Sequence, residues 1–136
     1  MKNVLLILLL PFLAITLAFS LVSCNKEKEN SNISDQLQQS WNVTSIKTNY
    51  HNALGDSMNV YNGAHNDTFQ FKTDGKVISI INGDTTIAHY TIISNSRLLI
   101  DNEYYSINKL TTNSLILYAK EGVPESYFEV TFYLNK

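Results

Sequence analysis

From Trp41 to Leu134, apolar and polar side chains alternate in short runs, and clusters of turn-forming residues separate the runs. A period of two is the mark of a strand with one buried face, and a helix cannot use it. The pattern is clearest in Trp41-x-Val43, Phe69-x-Phe71, Tyr90-x-Ile92, Tyr105-x-Ile107 and Phe128-x-Val130-x-Phe132-x-Leu134. Between these runs stand Asp74-Gly75, Asn82-Gly83-Asp84, Ser94-Asn95-Ser96, Asp101-Asn102, Thr112-Asn113 and Gly122-Val123-Pro124. Turns every eight to twelve residues mean antiparallel hairpins in sequence order.

The spacing predicts strands near 41–47, 57–62, 67–73, 76–82, 85–93, 97–101, 103–110 and 114–120, with a ninth at 126–134. Ser34 followed by Asp35-Gln36-Leu37 is suited to cap one helical turn before the first strand. The expected fold is all-β, a small antiparallel meander barrel of about eight strands, because closure buries one greasy face per strand and removes both sheet edges. A two-residue turn at Asp74-Gly75 sets Phe71 opposite Ile78 and Phe69 opposite Ile80; a three-residue turn turns Val77 and Ser79 inward instead. The first register buries more apolar surface and is the one predicted. Seven aromatic side chains then point inward: Trp41, Phe69, Phe71, Tyr90, Tyr105, Phe128 and Phe132. That much ring volume predicts a shallow pocket at one mouth, or a filled interior.

The first 23 residues have another character. Lys2 precedes an apolar run from Val4 to Phe19, and a small residue stands before a possible cut site. This is the layout of a signal peptide. Leu21-Val22-Ser23-Cys24 resembles the lipobox of bacterial lipoproteins, which implies a diacylglyceryl thioether on Cys24, further acylation such as palmitate, and cleavage before it. The competing reading is an uncleaved membrane anchor, since Val4 to Val22 is just long enough to span a bilayer. Cys24 is the only cysteine and stands where the greasy run ends and charges begin, which favours the lipoprotein. Residues 24–36 are polar apart from one isolated aliphatic and predict a flexible tether, with 37–136 as the folded domain. Asn25 after the acylated cysteine resembles outer-membrane sorting, and Lys26-Glu27-Lys28-Glu29 leaves the choice of leaflet open. The expected location is therefore the cell envelope.

Leu37-x-x-x-Trp41-x-Val43, Phe69-x-Phe71-x-x-Asp74-Gly75, Tyr105-x-Ile107-x-x-Leu110 and the ending Tyr127 to Leu134 resemble the lipocalin-like domains of Bacteroidetes lipoproteins. The likeness covers residues 37–136 and departs at Gln39, where the family carries glycine. It implies a barrel that binds a small hydrophobic or amphipathic ligand. If a pocket exists, Trp41, Tyr90 and Tyr105 are its candidate lining, because a tyrosine hydroxyl inside a barrel needs a partner that a polar ligand or water supplies; the competing reading makes them ordinary core residues.

Catalytic signatures are missing. His51, His65 and His89 lack metal-ligand spacing, no nucleophile elbow or phosphate loop appears, and Asp74, Asp84 and Asp101 all fall in predicted turns. Asp101-Asn102-Glu103 carries too few oxygens for a calcium site. A formal charge of -2 with no basic block gives no footprint for nucleic acid. The expectation is a protein that is not an enzyme and uses no metal or cofactor. A second reading looks outward: Tyr118, Tyr127 and Tyr133 alternate with core positions, forming an aromatic stripe that could contact an envelope protein or glycan, or steady the sheet through cross-strand pairs.

Overall fold

A computed structural model describes residues 32–136. The signal peptide, Cys24 and the tether up to residue 31 lie outside the described residues. The chain opens with a short helix, α1 (Ile33–Leu37), followed by nine strands: β1 (Ser40–Asn52), β2 (Gly55–Asn62), β3 (Thr68–Phe71), β4 (Lys76–Ile81), β5 (Asp84–Ser94), β6 (Arg97–Ile100), β7 (Glu103–Leu110), β8 (Ser114–Val123) and β9 (Ser126–Asn135). The helical turn expected before the first strand is present. Asn32 rather than Ser34 caps it, its side-chain oxygen accepting the Ser34 N–H at 3.2 Å. Residues 33–36, assigned to the tether on composition, belong to this helix because Leu37 is fully buried and fixes its last turn.

Each strand from β3 to β9 pairs antiparallel with the next, and β9 closes the ring by pairing with β1 from Asn42↔Asn135 to His51↔Tyr127. The wall is therefore an eight-stranded barrel of β1 and β3–β9, and closure leaves none of those strands with an open edge along the wall. The ninth strand is β2, which pairs only with β1. β1 has 13 residues, more than one neighbour on that side uses: Ser40–Asn42 pair with β3 and Ser45–Asn52 with β2. In the β1–β9 pairing, a register shift between Val43 and Ser45 falls at the level where β1 exchanges β3 for β2 on its other side. Gly63 makes the exchange possible, because a Cβ there would stand 1.9 Å from the Val43 carbonyl oxygen. Its N–H donates to Thr44 O at 3.0 Å, and Val43 N–H donates to Asp67 O at 2.9 Å.

The turn between β3 and β4 corrects one expectation. Lys72 and Lys76 close a three-residue loop: Lys72 N–H donates to Lys76 O at 2.8 Å, and Gly75 N–H donates to Lys72 O at 3.2 Å. Gly75 takes φ of 80°, and the Asp74 carboxylate accepts the Lys76 N–H at 3.1 Å. A turn followed by a left-handed glycine is the common three-residue hairpin. Phe71 consequently pairs with Val77 and Phe69 with Ser79, so Val77, Ser79 and Ile81 face inward while Ile78 and Ile80 face out. The apolar-area argument failed because β4 is apolar on both faces, and turn chemistry decided the register.

The barrel has one closed end. Leu37, Trp41 and Phe71 are buried there beneath α1, with Tyr90 beside them, its ring edge-to-face with Phe71 at 5.1 Å. The Trp41 indole N–H donates to Leu37 O at 3.1 Å, and Gln38 Nε2 donates to the Tyr90 hydroxyl at 3.3 Å, so α1 is tied to two strands. Leu98, Leu115, Leu117 and Leu134 extend the core along the axis.

Candidate ligand-binding site

The opposite end of the barrel is hollow. Between the β4–β5 turn, the β6–β7 turn and the inner faces of β8 and β9 lies a cavity of about 490 Å³. That volume lies within the range of small-molecule sites. Its apolar surface comes from Phe69, Val77, Ile81, Ala88, Ile100, Leu117 and Phe132. Phe69 and Phe132 meet edge-to-face at 5.2 Å, and Tyr105 lies 6.1 Å from Phe132. Polar groups stand among them and at the rim: Ser79, Thr86, Tyr105, Asp101, Asn102 and Glu103.

The void follows from the register of β4. Turning Ile78 and Ile80 outward places Ser79 on the inner face opposite Phe69, with Thr86 paired to Ser79 and Ala88 paired to Val77 across the hairpin. Three small side chains occupy a wall that two isoleucines would have filled. The hairpin turn holds that wall in place: Asn82 and Gly83 both take positive φ, 52° and 88°, which suits a two-residue turn matched to strand twist.

Tyr105 is half-buried on the inner wall, and its hydroxyl donates to Glu103 Oε2 at 2.9 Å. Burial raises its pKa well above the ordinary phenol value, and the hydrogen bond to Glu103 and the charges of Glu103, Asp101 and Glu121 push the same way. The phenol therefore stays a neutral donor. Asp101 Oδ1 accepts the His89 N–H at 2.9 Å, which pins the β6–β7 turn to β5 while Asp101 holds φ of 48°.

Of the three residues implied as lining, only Tyr105 reaches the cavity. Trp41 is fully buried at the closed end with its N–H satisfied by Leu37 O. The Tyr90 hydroxyl is likewise satisfied within the protein, donating to Lys72 O at 2.8 Å. Aromatic content did not separate the two ends. Thr86 and Ala88 were not singled out in the sequence, Ser79 entered only with the register not chosen, and Glu103 only as part of too poor a calcium ligand set, since small or acidic residues at alternating positions stand out only once the register is fixed.

Tyr118, Tyr127 and Tyr133 share the outer face of β8 and β9 and are partly covered. The Tyr118 hydroxyl donates to Glu129 Oε1 at 2.8 Å; burial and that contact push its pKa up to about 12. Lys120 Nζ sits over the Tyr127 ring at 3.4 Å and Lys47 over Tyr133 at 5.3 Å. His51 stacks on Tyr127 and contacts the Asp56 carboxylate, while His65 and His89 are exposed. Among the described residues, no group of three or more His, Cys, Asp or Glu side chains is placed to hold a metal ion.

Fold and cavity together define a small antiparallel β-barrel with one plugged end and one open end. In comparisons with protein-family models, curated proteins and solved structures, none matches this chain.

Proposed function

We propose that this protein is a lipid-anchored, lipocalin-like binding module that holds one small hydrophobic or amphipathic molecule in the open half of its barrel. The observation that carries the reading is the 490 Å³ cavity, apolar within and polar at its rim, in a barrel whose other end is sealed by α1. Apolar walls supply affinity through area removed from water, and a few convergent polar groups orient the occupant. The chain enters the barrel at the end opposite the cavity. Anchoring through Cys24 rests on the lipobox resemblance.

The test is titration of the full chain, in a mild non-ionic detergent, with the neutral probe 1-octanol. Saturable amide shifts at Ala88, Ile100, Leu117 and Phe132 are expected, and Ala88→Trp, which fills the cavity, should remove them. Shifts confined to the face of Tyr118, Tyr127 and Tyr133, or equal effects on both proteins, reject the reading.

A further inference from the structure

The charged side chains that line the cavity are all of one sign. Resting on the reading above, we propose that the site takes a protonated alkylamine, with its ammonium at the rim and its chain against the rings, in preference to a carboxylate of the same length.

The ionisable groups lining the cavity are Asp101, Glu103 and the neutral donor Tyr105, with no Lys, Arg or His among them. Among the described residues neither carboxylate takes part in an ion pair, although Lys76 pairs with Asp74 and Lys120 with Glu129 elsewhere. Each carboxylate has one oxygen engaged, Asp101 by the His89 N–H and Glu103 by the Tyr105 hydroxyl, and the second oxygen of each has no hydrogen-bond partner among the described residues. Glu121 adds its charge from β8, close enough to act on Tyr105. Several cations are committed elsewhere: Lys47, Arg97 and Lys120 lie over the outward rings of Tyr133, Tyr104 and Tyr127, and Lys76 belongs to the turn at the closed end. A cleft lined by one sign of charge with low-dielectric walls concentrates the opposite charge.

The second observation is aromatic. Phe69, Phe132 and Tyr105 form a contiguous set of rings below that rim. Rings beside carboxylates suit an alkylammonium, because ring faces attract a cation and also pack against its methylenes. A fatty carboxylate would gain the same apolar contact while meeting repulsion at the mouth.

The experiment compares octylamine, 1-octanol and octanoate on the full chain, each corrected for micelle partition with Ala88→Trp. Octylamine should bind roughly tenfold more tightly than octanoate at low salt, with octanol between. Raising ionic strength to about 0.5 M should narrow the gap, because screening shortens to a few ångström. Glu103→Gln, which keeps an acceptor for Tyr105, should narrow it as well. Octanoate binding as tightly as octylamine, octylamine no tighter than octanol, or a preference unmoved by Glu103→Gln overturns the inference. Absence of binding by all three overturns the cavity as a site, a separate result.

Discussion

The Tyr61 hydroxyl donates to Oδ2 of Asp67, a carboxylate only 1% exposed, across the point where β2 hands over to β3. The same carboxylate accepts the N–H of Ala64 at 2.8 Å and the N–H of Asn82 at 2.8 Å. One side chain therefore joins the end of the β1–β2 hairpin, the 63–67 loop and the β4–β5 turn, beside Ile81 in the cavity wall. The sequence offered no sign of it, since Asp67 reads only as the first residue of the strand predicted at 67–73.

Asp67 should make stability depend on pH. The Tyr61 hydrogen bond, joined by those from Ala64 and Asn82, holds its pKa below the ordinary carboxylate value against the opposing effect of burial. A carboxyl group with a depressed pKa in the folded state contributes stability that is present above its unfolded pKa of about 3.9 and is lost as pH falls through the folded value. Thermal unfolding should show wild type losing an increment between about pH 5 and pH 2 that Asp67→Asn lacks. At pH 7 Asp67→Ala should lower Tm by about 5 °C or more, because three donors lose their acceptor. Tyr61→Phe should raise the Asp67 pKa, read by NMR titration of the carboxyl carbon. No rise would mean that the backbone donors alone set it.

The register of β4 can be checked by a pair of substitutions. Ile78 is on the outer face opposite Ile87, whereas Val77 is 3% exposed in the core. Ile78→Thr should cost no more than about 1 kcal/mol, since threonine suits a half-solvated strand. Val77→Asp should prevent folding, because it buries a charge without a partner. The opposite ranking by urea denaturation would restore the two-residue turn.

That strand shows what the sequence could reveal and what it could not. Alternation and turn spacing together located all nine strands, with β1 running five residues past its predicted end at 47, and the expectation of a closed barrel followed from one greasy face per strand. β2 was foreseen as a strand but its place outside the wall was not, because that depends on β1 changing partners at Gly63. Val77-Ile78-Ser79-Ile80-Ile81 is apolar in both phases, so area could not choose between them. The need of an inward tyrosine hydroxyl for a partner likewise suggested Tyr90, with Trp41, as lining. Their position along the axis, set by α1 and the turn at Lys72, placed them at the sealed end.

Anchoring is testable apart from binding. Each acyl methylene buried in a membrane contributes about 0.8 kcal/mol, and one chain holds only weakly, so stable attachment needs the two or three chains that an acylated Cys24 would carry. In cells fed labelled palmitate, the wild-type chain should take up label and sediment with membranes. Cys24→Ser should do neither. Retention of the variant in membranes after alkaline carbonate extraction would support the span from Val4 to Val22 instead.

Trp41 separates the closed end from the open one in a single residue. Its ring is fully buried against α1 and does not line the cavity, so its emission should report folding and ignore occupancy. Trp41→Ala should cost about 3–5 kcal/mol by denaturant unfolding, the usual price of removing a large buried ring. Trp41→Phe keeps much of the volume and loses the hydrogen bond to Leu37 O, and should cost about 1–3 kcal/mol. At temperatures where both proteins are folded, Trp41→Phe and wild type should bind 1-octanol within about twofold of each other, because Trp41 does not line the cavity and meets it through its strand partner Phe69, which the substitution leaves in place. A loss of binding that exceeds this while the fold persists would move the occupied region to the sealed end and empty the mouth of its role.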